Sequence, residues 1–116
     1  MDVELVCVNH LNGSGIGATA YYDRPPACTG PLVVVERTGG GRGEGETSRP
    51  IVDVQCWAPT RPEAYRLARA VESALVDMPG AVDDVTHVTV SSVFRDRDLE
   101  TGAPRYHIVC EIYSNT

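Results

Sequence analysis

Residues 60–78, TRPEAYRLARAVESALVDM, decide the architecture of this chain. Thr60 is placed to cap a first helical turn, and Pro62 suits an early helical position whose N–H would have no partner anyway. Glu63 completes a T-x-x-E capping box. Ala64, Leu67, Ala68, Val71, Ala74, Leu75 and Met78 recur at spacings of three and four, so they share one face. Arg66, Arg69, Glu72 and Ser73 fall on the other side. Pro79-Gly80 is expected to stop the helix. At roughly 1.5 Å per residue the rod is about 27 Å long, enough to cover one face of a small sheet.

What surrounds this helix is bounded by composition. At 116 residues the chain is expected to form a single domain with one modest core. A formal net charge of −6 and a pI near 4.9 argue against a general grip on nucleic-acid phosphates. All 10 basic residues are arginine, which fits a GC-rich coding bias or, less strongly, a use of forked pairing at interfaces. Neither a secretory leader nor an apolar run of membrane-spanning length is present, so synthesis in the cytosol is the simplest expectation. Cys7, Cys28, Cys56 and Cys110 are widely spaced and form no CxxC pair. They read as reduced, structural thiols, two of them inside the apolar runs VDVQCW and HIVCEIY.

Both sides of the helix read as strands. Leu32–Thr38 and Ile51–Trp57 are β-branched runs bounded by turn residues and are expected to pair. Between them GGGRGEGETSR, residues 39–49, has no apolar side chain and reads as a mobile hairpin loop. Val85–Phe94 and Arg105–Tyr113 are two more strands joined by a charged loop. In the last strand Tyr106, Ile108, Cys110 and Ile112 alternate with Arg105, His107, Glu111 and Tyr113, the period of a half-buried strand. Near the N-terminus a strand is expected around Ala18–Tyr22, after a glycine-rich turn. Residues 2–11 fit either a helix capped by Asp2, with Val3, Val6, Cys7 and His10 as its stripe, or a strand; the helix is preferred. The sum is α+β: a mostly antiparallel sheet of about five strands with one long and one short helix packed on one face.

Chemistry-bearing motifs fail one after another. Gly13-Ser14-Gly15-Ile16-Gly17-Ala18 fits the letters of a dinucleotide turn, but no helix follows to meet a pyrophosphate. The 39–49 loop lacks the G-K-[ST] ending of a phosphate cradle. His10, His87 and His107 lie on different elements; His87 and His107 are candidates for an exposed cross-strand pair without a third ligand. Asp83-Asp84 and Asp96, Asp98 and Glu100 read as solvated turns, and DRDLETG lacks calcium-loop spacing. Trp57 reads as a core or helix-packing anchor. No catalytic residue, cofactor or metal ligand is assigned.

A resemblance emerges from PLVVVERTGG (31–40), SRPIVDVQCWAPTRPEAYRLARAVESAL (48–75) and DLETGAPRYHIVCEIY (98–113) taken in order. A strand ending R-T-G-G leads to a polar loop, then a strand ending Cys-Trp-Ala and an Ala/Arg-rich helix. The motif D-x-x-T-G-x-P-R-Y then opens a final strand. This order resembles the tail terminator (tail completion) proteins of long-tailed bacteriophages, especially those of actinobacterial hosts, over roughly residues 16–114.

The resemblance implies a compact α+β subunit, six of which form a ring on the head-proximal end of the tail tube. That ring would stop tube growth, dock the head connector and let DNA pass through its hole. It implies as partners the tail tube protein, the head–tail connector and, as a further candidate, the tape-measure protein, with no membrane and no cofactor. The long polar loops would then be the elements that reach a neighbouring subunit or ring, ordering on assembly. The candidate contact residues are Arg42, Glu44, Glu46 and Arg49 in the first loop and Arg95, Arg97, Asp98 and Glu100 in the second. Val85, Val93, Val109 and Tyr113 are expected on the outward side of the strands as further contact area. Two other readings stay open: another virion ring component, such as a connector or tube-like protein, and a small cytosolic binding module.

Overall fold

The computed structural model describes residues 2–25, 30–39 and 47–115. In chain order the elements are α1 (Val3–Asn12), β1 (Thr19–Tyr21), β2 (Leu32–Gly39), β3 (Thr47–Ser48), β4 (Ile51–Trp57), α2 (Arg61–Val76), α3 (Met78–Ala81), β5 (Val85–Arg97) and β6 (Pro104–Asn115). Across the sheet the order is β1-β2-β4-β6-β5. β1 runs parallel to β2, and every other pairing is antiparallel. β3 adds a sixth strand without adding width. It pairs with Ser114 and Asn115 of β6 just beyond the stretch that β4 occupies. Pro50, which has no N–H to give, separates the two, and its carbonyl accepts from the Ile112 N–H.

All three helices lie on one face of this sheet, and that face holds the main core. From α2 it takes Leu67, Ala68, Val71, Ala74 and Leu75, and from α1 Val3, Cys7, Val8 and Leu11. They meet Val33, Val35, Val52, Val54, Cys56, Ile108, Cys110 and Ile112 from the sheet. The stripe expected of the long helix is the stripe that is buried, and Met78 joins it although it belongs to the next turn. In α1 the buried stripe is Val3, Cys7, Val8 and Leu11, rotated slightly from the expected one, so that Val6 and His10 are only half-buried. His10 uses its edge position to place Nε2 2.7 Å from the Ala74 carbonyl near the end of α2.

The caps follow the sequence. Asp2 accepts from the Leu5 N–H at 3.2 Å, which settles the N-terminal segment as a helix. Thr60 Oγ1 accepts from the Glu63 N–H at 3.4 Å and donates to Glu63 Oε1 at 3.0 Å. The reciprocal half of the box thus runs through the two side chains. The glycine-rich turn after α1 needs its glycines where φ is positive, at Gly15 (67°) and Gly17 (84°).

Four expectations are corrected. Pro79-Gly80 does not stop the long helix; it ends at Val76, and Met78–Ala81 forms one further turn. Pro79 is tolerated there because early helical positions have no N–H partner to lose. The two C-terminal strands run longer than expected, to Arg97 and from Pro104, so the charged connection shrinks to residues 98–103. Val85 is not outward but 2% exposed in the main core. Val93 has the core-side register, opposite Ile108, yet stays 44% exposed on the edge strand β5.

Burial also settles the thiols. Cys7, Cys56 and Cys110 are free and fully buried. Desolvation pushes all three thiols up, that of Cys110 to about 12. Since the thiolate is the reactive form, native protein is expected to react with a disulfide reagent at no more than one of its 4 cysteines. Denatured protein should react at all of them. Cys28, the fourth, lies outside the described residues. Fast modification of two or more thiols in the native state would contradict this packing.

Candidate functional site

The helix-free face of the sheet carries what the core does not explain. Leu32, Val34 and Trp57 form a small second apolar cluster there, with Tyr21 and Ala103 against it. Trp57 is therefore buried, but on the side opposite the helices, which corrects the idea of a helix-packing anchor. Its indole N–H donates to Asp98 Oδ2 at 3.1 Å.

Asp98 is the centre of this face. It is 6% exposed. Its carboxylate also accepts from the Arg24 guanidinium at 2.6 Å, the Thr101 hydroxyl at 3.0 Å and the Glu100 N–H at 3.0 Å. Two backbone bonds, Asp98 N–H to the Ala103 carbonyl and Gly102 N–H to the Asp98 carbonyl, close the turn. Gly102 adopts φ 74°, a conformation that other residues enter at a cost. Burial pushes the Asp98 carboxyl up, but the Glu100, Thr101 and Trp57 hydrogen bonds and the Arg24 charge outweigh it. The net result is a group held below the usual carboxylate range. The expected pliant loop is instead a set turn before any partner is met. At its tip Leu99 is 91% exposed.

Next to Asp98 lies a second polar network. Asp96 sits directly across from Arg105 on the paired strand and takes its guanidinium through two bonds of 2.7 Å. The Arg105 fork holds Asp96 below the usual carboxylate range, and Asp96 in turn raises Arg105. His107 Nδ1 lies 3.0 Å from both oxygens of Asp53. Its Nε2 is 3.0 Å from Asp96 Oδ2. Phe94 stacks on the ring at 4.6 Å between centroids and 8° between planes. His107 is thus buried between two carboxylates and an aromatic ring. It pairs across the sheet with Phe94 and Gln55, whereas His87 pairs with Tyr113, so the proposed histidine pair does not exist.

The chemistry available here is that of ion pairs and shape. The contacts of His107 among the described residues are to Asp53, Asp96 and Phe94. Among the described residues no group of three or more His, Cys, Asp or Glu could hold a metal ion, and no helix is long and apolar enough to cross a membrane.

Of the expected contact residues, Arg42, Glu44 and Glu46 lie outside the described residues. Arg49 is exposed, 3.9 Å from Glu111 and over the ring of Tyr113. Arg95, Arg97 and Glu100 are exposed on the β5–β6 hairpin. Asp98 sits among them in sequence, but its carboxylate is committed within the chain; it can serve a contact only by holding the turn. Arg24, Trp57 and Arg105 were missed as members of this site. The one sequence signal for them was the opposite-charge pair Asp96/Arg105, which falls into register if the hairpin closes with Arg97 opposite Pro104.

Comparison with known proteins bears directly on this geometry. Among curated proteins no match was found. The fold is similar to a chain in the structure "Virion of native gene transfer agent (GTA) particle", with a TM-score of 0.66. That alignment covers 96% of this chain and 85% of the other at 13% identity, a likeness of fold. The family model described as "Tail completion protein gp17" matches residues 11–113. With that match spanning α1 to the end of β6, the chain belongs to the tail completion protein gp17 family, whose members are structural proteins of the virion tail.

Proposed function

We propose that six copies of this chain form a ring on the head-proximal end of a phage tail tube, where the ring stops tube growth and presents the surface that docks the head connector. The observation that carries this reading is the family match over residues 11–113. The structure is compatible with it, a helix-backed sheet whose other face carries an ordered turn with Leu99 exposed at its tip, and from the family match we read the protein as having a structural rather than an enzymatic role. Two unlike faces of ~800 Å² each, as a ring subunit needs, would cover about a quarter of the 6343 Å² surface. The partners in this reading are the tail tube protein, the connector and the tape-measure protein, with assembly in the host cytoplasm.

Six copies at −6 each carry a formal −36, which favours an acidic lumen through which DNA slides without sticking. An arginine-lined channel in an assembled ring would sink that part of the proposal. The reading as a whole is tested by electron microscopy of lysates in which this gene is disrupted. Overlong or ragged tubes apart from filled heads are expected. Tails of normal length that fail to join heads would move the protein to the connector, and intact virions would reject both.

The 39–49 segment is proposed to contact a neighbouring subunit or ring. Deleting Gly40–Thr47 should leave a folded, soluble chain and cut the yield of joined particles by at least about tenfold, the loss of roughly 1.4 kcal/mol of contact. Normal particle yield from the deletion would count against a contact role.

A further inference from the structure

Two patches of opposite charge are left unpaired on opposite sides of the sheet. Arg61, in the first turn of α2, and Arg95 and Arg97 on β5 line one cleft together with Asp96, Gly102 and Pro104. All three arginines are exposed, and among the described residues none forms an ion pair. The cleft's own carboxylate, Asp96, is already taken by Arg105. On the other side Asp23, just after β1, Glu36 on β2 and Glu100 at the hairpin tip rim a second cleft that also holds Tyr22 and Leu99. These carboxylates are exposed and form no ion pair among the described residues either.

Within one copy Glu36 is out of reach of the arginines on β5. β2 and β5 are separated by β4 and β6, three strand spacings or about 14 Å. That exceeds the ~8 Å over which exposed charges act at physiological salt. The apolar parts are also complementary. Leu99, 91% exposed at the end of a turn fixed by Asp98, is a knob already in place. Beside the arginines, Pro104 and the arginine stems form an apolar seat. Val93, on the same face of β5 as Arg95, is 44% exposed. β5 pairs with β6 alone among the described strands, so its outer side is open to a neighbour.

We infer that the occupant of the arginine cleft is a second copy of this chain: the Asp23–Glu36–Glu100 rim, with Leu99 beside Glu100, docks head to tail against Arg61, Arg95 and Arg97 of the next subunit. The two surfaces differ, so the contact is heterologous and repeats around a ring or along a filament. This inference rests on the ring reading and specifies which sides of the subunit meet.

The test is a charge swap read in assembled particles. In cells producing the parent particle with this gene silenced, R95E/R97E and D23R/E36R are supplied separately and together. Each alone should lower the yield of joined particles by at least about 100-fold, since like charges then face one another. Supplied together they should restore yield to within about tenfold of the natural chain, because alternating copies again present opposite charges at every contact. Circular dichroism and thermal unfolding of the purified variants check that each is folded; R95A/R97A and D23A/E36A replace any that is not, each expected to lose yield alone. Normal yield from either reversed variant overturns the inference. So does failure of the mixture to recover, or a loss confined to the arginine variant, which would give the cleft to another protein or to DNA phosphates. Failure of the ring reading is seen separately, as one or two copies of the natural protein per particle.

Discussion

Replacing Asp98 by alanine should lower the unfolding free energy by about 2–4 kcal/mol, with a fall in Tm on the order of 10 °C. The size follows from what the carboxylate leaves behind. Trp57 loses the acceptor for a buried indole N–H, and the Arg24 guanidinium, 5.3 Å from the Trp57 ring centroid, loses its counter-charge. Thr101 and the Glu100 N–H lose theirs as well, so the turn that displays Leu99 loosens. Asp98→Asn keeps the shape and one acceptor oxygen and should cost about half as much. Hydrogen exchange at residues 98–103 separates this account from a general core defect: those amides should lose protection well before those of Val54 or Ile108. A Tm within 2 °C of the natural chain, roughly the shift that half a kcal/mol makes, would show that the network is decorative.

The same carboxylates set the acid limit. Asp96 and Asp98 are both held below the usual carboxylate range in the folded chain. Each therefore contributes stability that is complete above about pH 4, the unfolded value, and is lost as pH falls through the lower folded value. Asp98 carries more of this than Asp96, whose side chain is 39% exposed and screened by solvent. The natural chain should lose Tm steeply below about pH 4, and Asp98→Ala should start lower and decline less. Parallel curves for the two proteins would remove Asp98 from the acid response.

How much of this was legible in the sequence depended on distance along the chain. α2 was readable residue by residue because helical periodicity is local, and six of the expected stripe residues are its buried ones. β4 was readable to its bounds, since Arg-Pro before it and Ala-Pro after it frame the β-branched run. The two-residue β3 was not, because so short a strand has no period; it exists only because β6 extends beside it. The Asp98 network was hidden for another reason. Its partners Arg24 and Trp57 lie 74 and 41 residues away in sequence, and only the fold brings them to one carboxylate. In a linear reading Asp96, Asp98 and Glu100 look alike, as a charged turn. In the fold one is clamped by a cross-strand arginine, one is buried, and Glu100 is exposed with no ion pair among the described residues, so its charge is available to a partner.

The last prediction contrasts two neighbours on one face of the sheet. Ile108 and Val93 are directly opposite on β6 and β5, yet Ile108 is 0% exposed and Val93 is 44% exposed. Ile108→Ala removes three carbons from the centre of the main core, between Val54 and Val93 on the adjacent strands. The lost transfer energy and the cavity together should cost about 3–4 kcal/mol, a large share of the roughly 5–15 kcal/mol that holds a domain of this size. Val93→Ala, with much of its surface already in water, should cost about 1 kcal/mol or less. Urea unfolding of the two variants measures the difference directly. If the two cost the same, β5 at Val93 would have to be packed against something within the chain, and the open side assigned to it above would be closed. If they differ as expected, Val93 contributes little to folding, and its exposed apolar surface stays available to a neighbouring subunit.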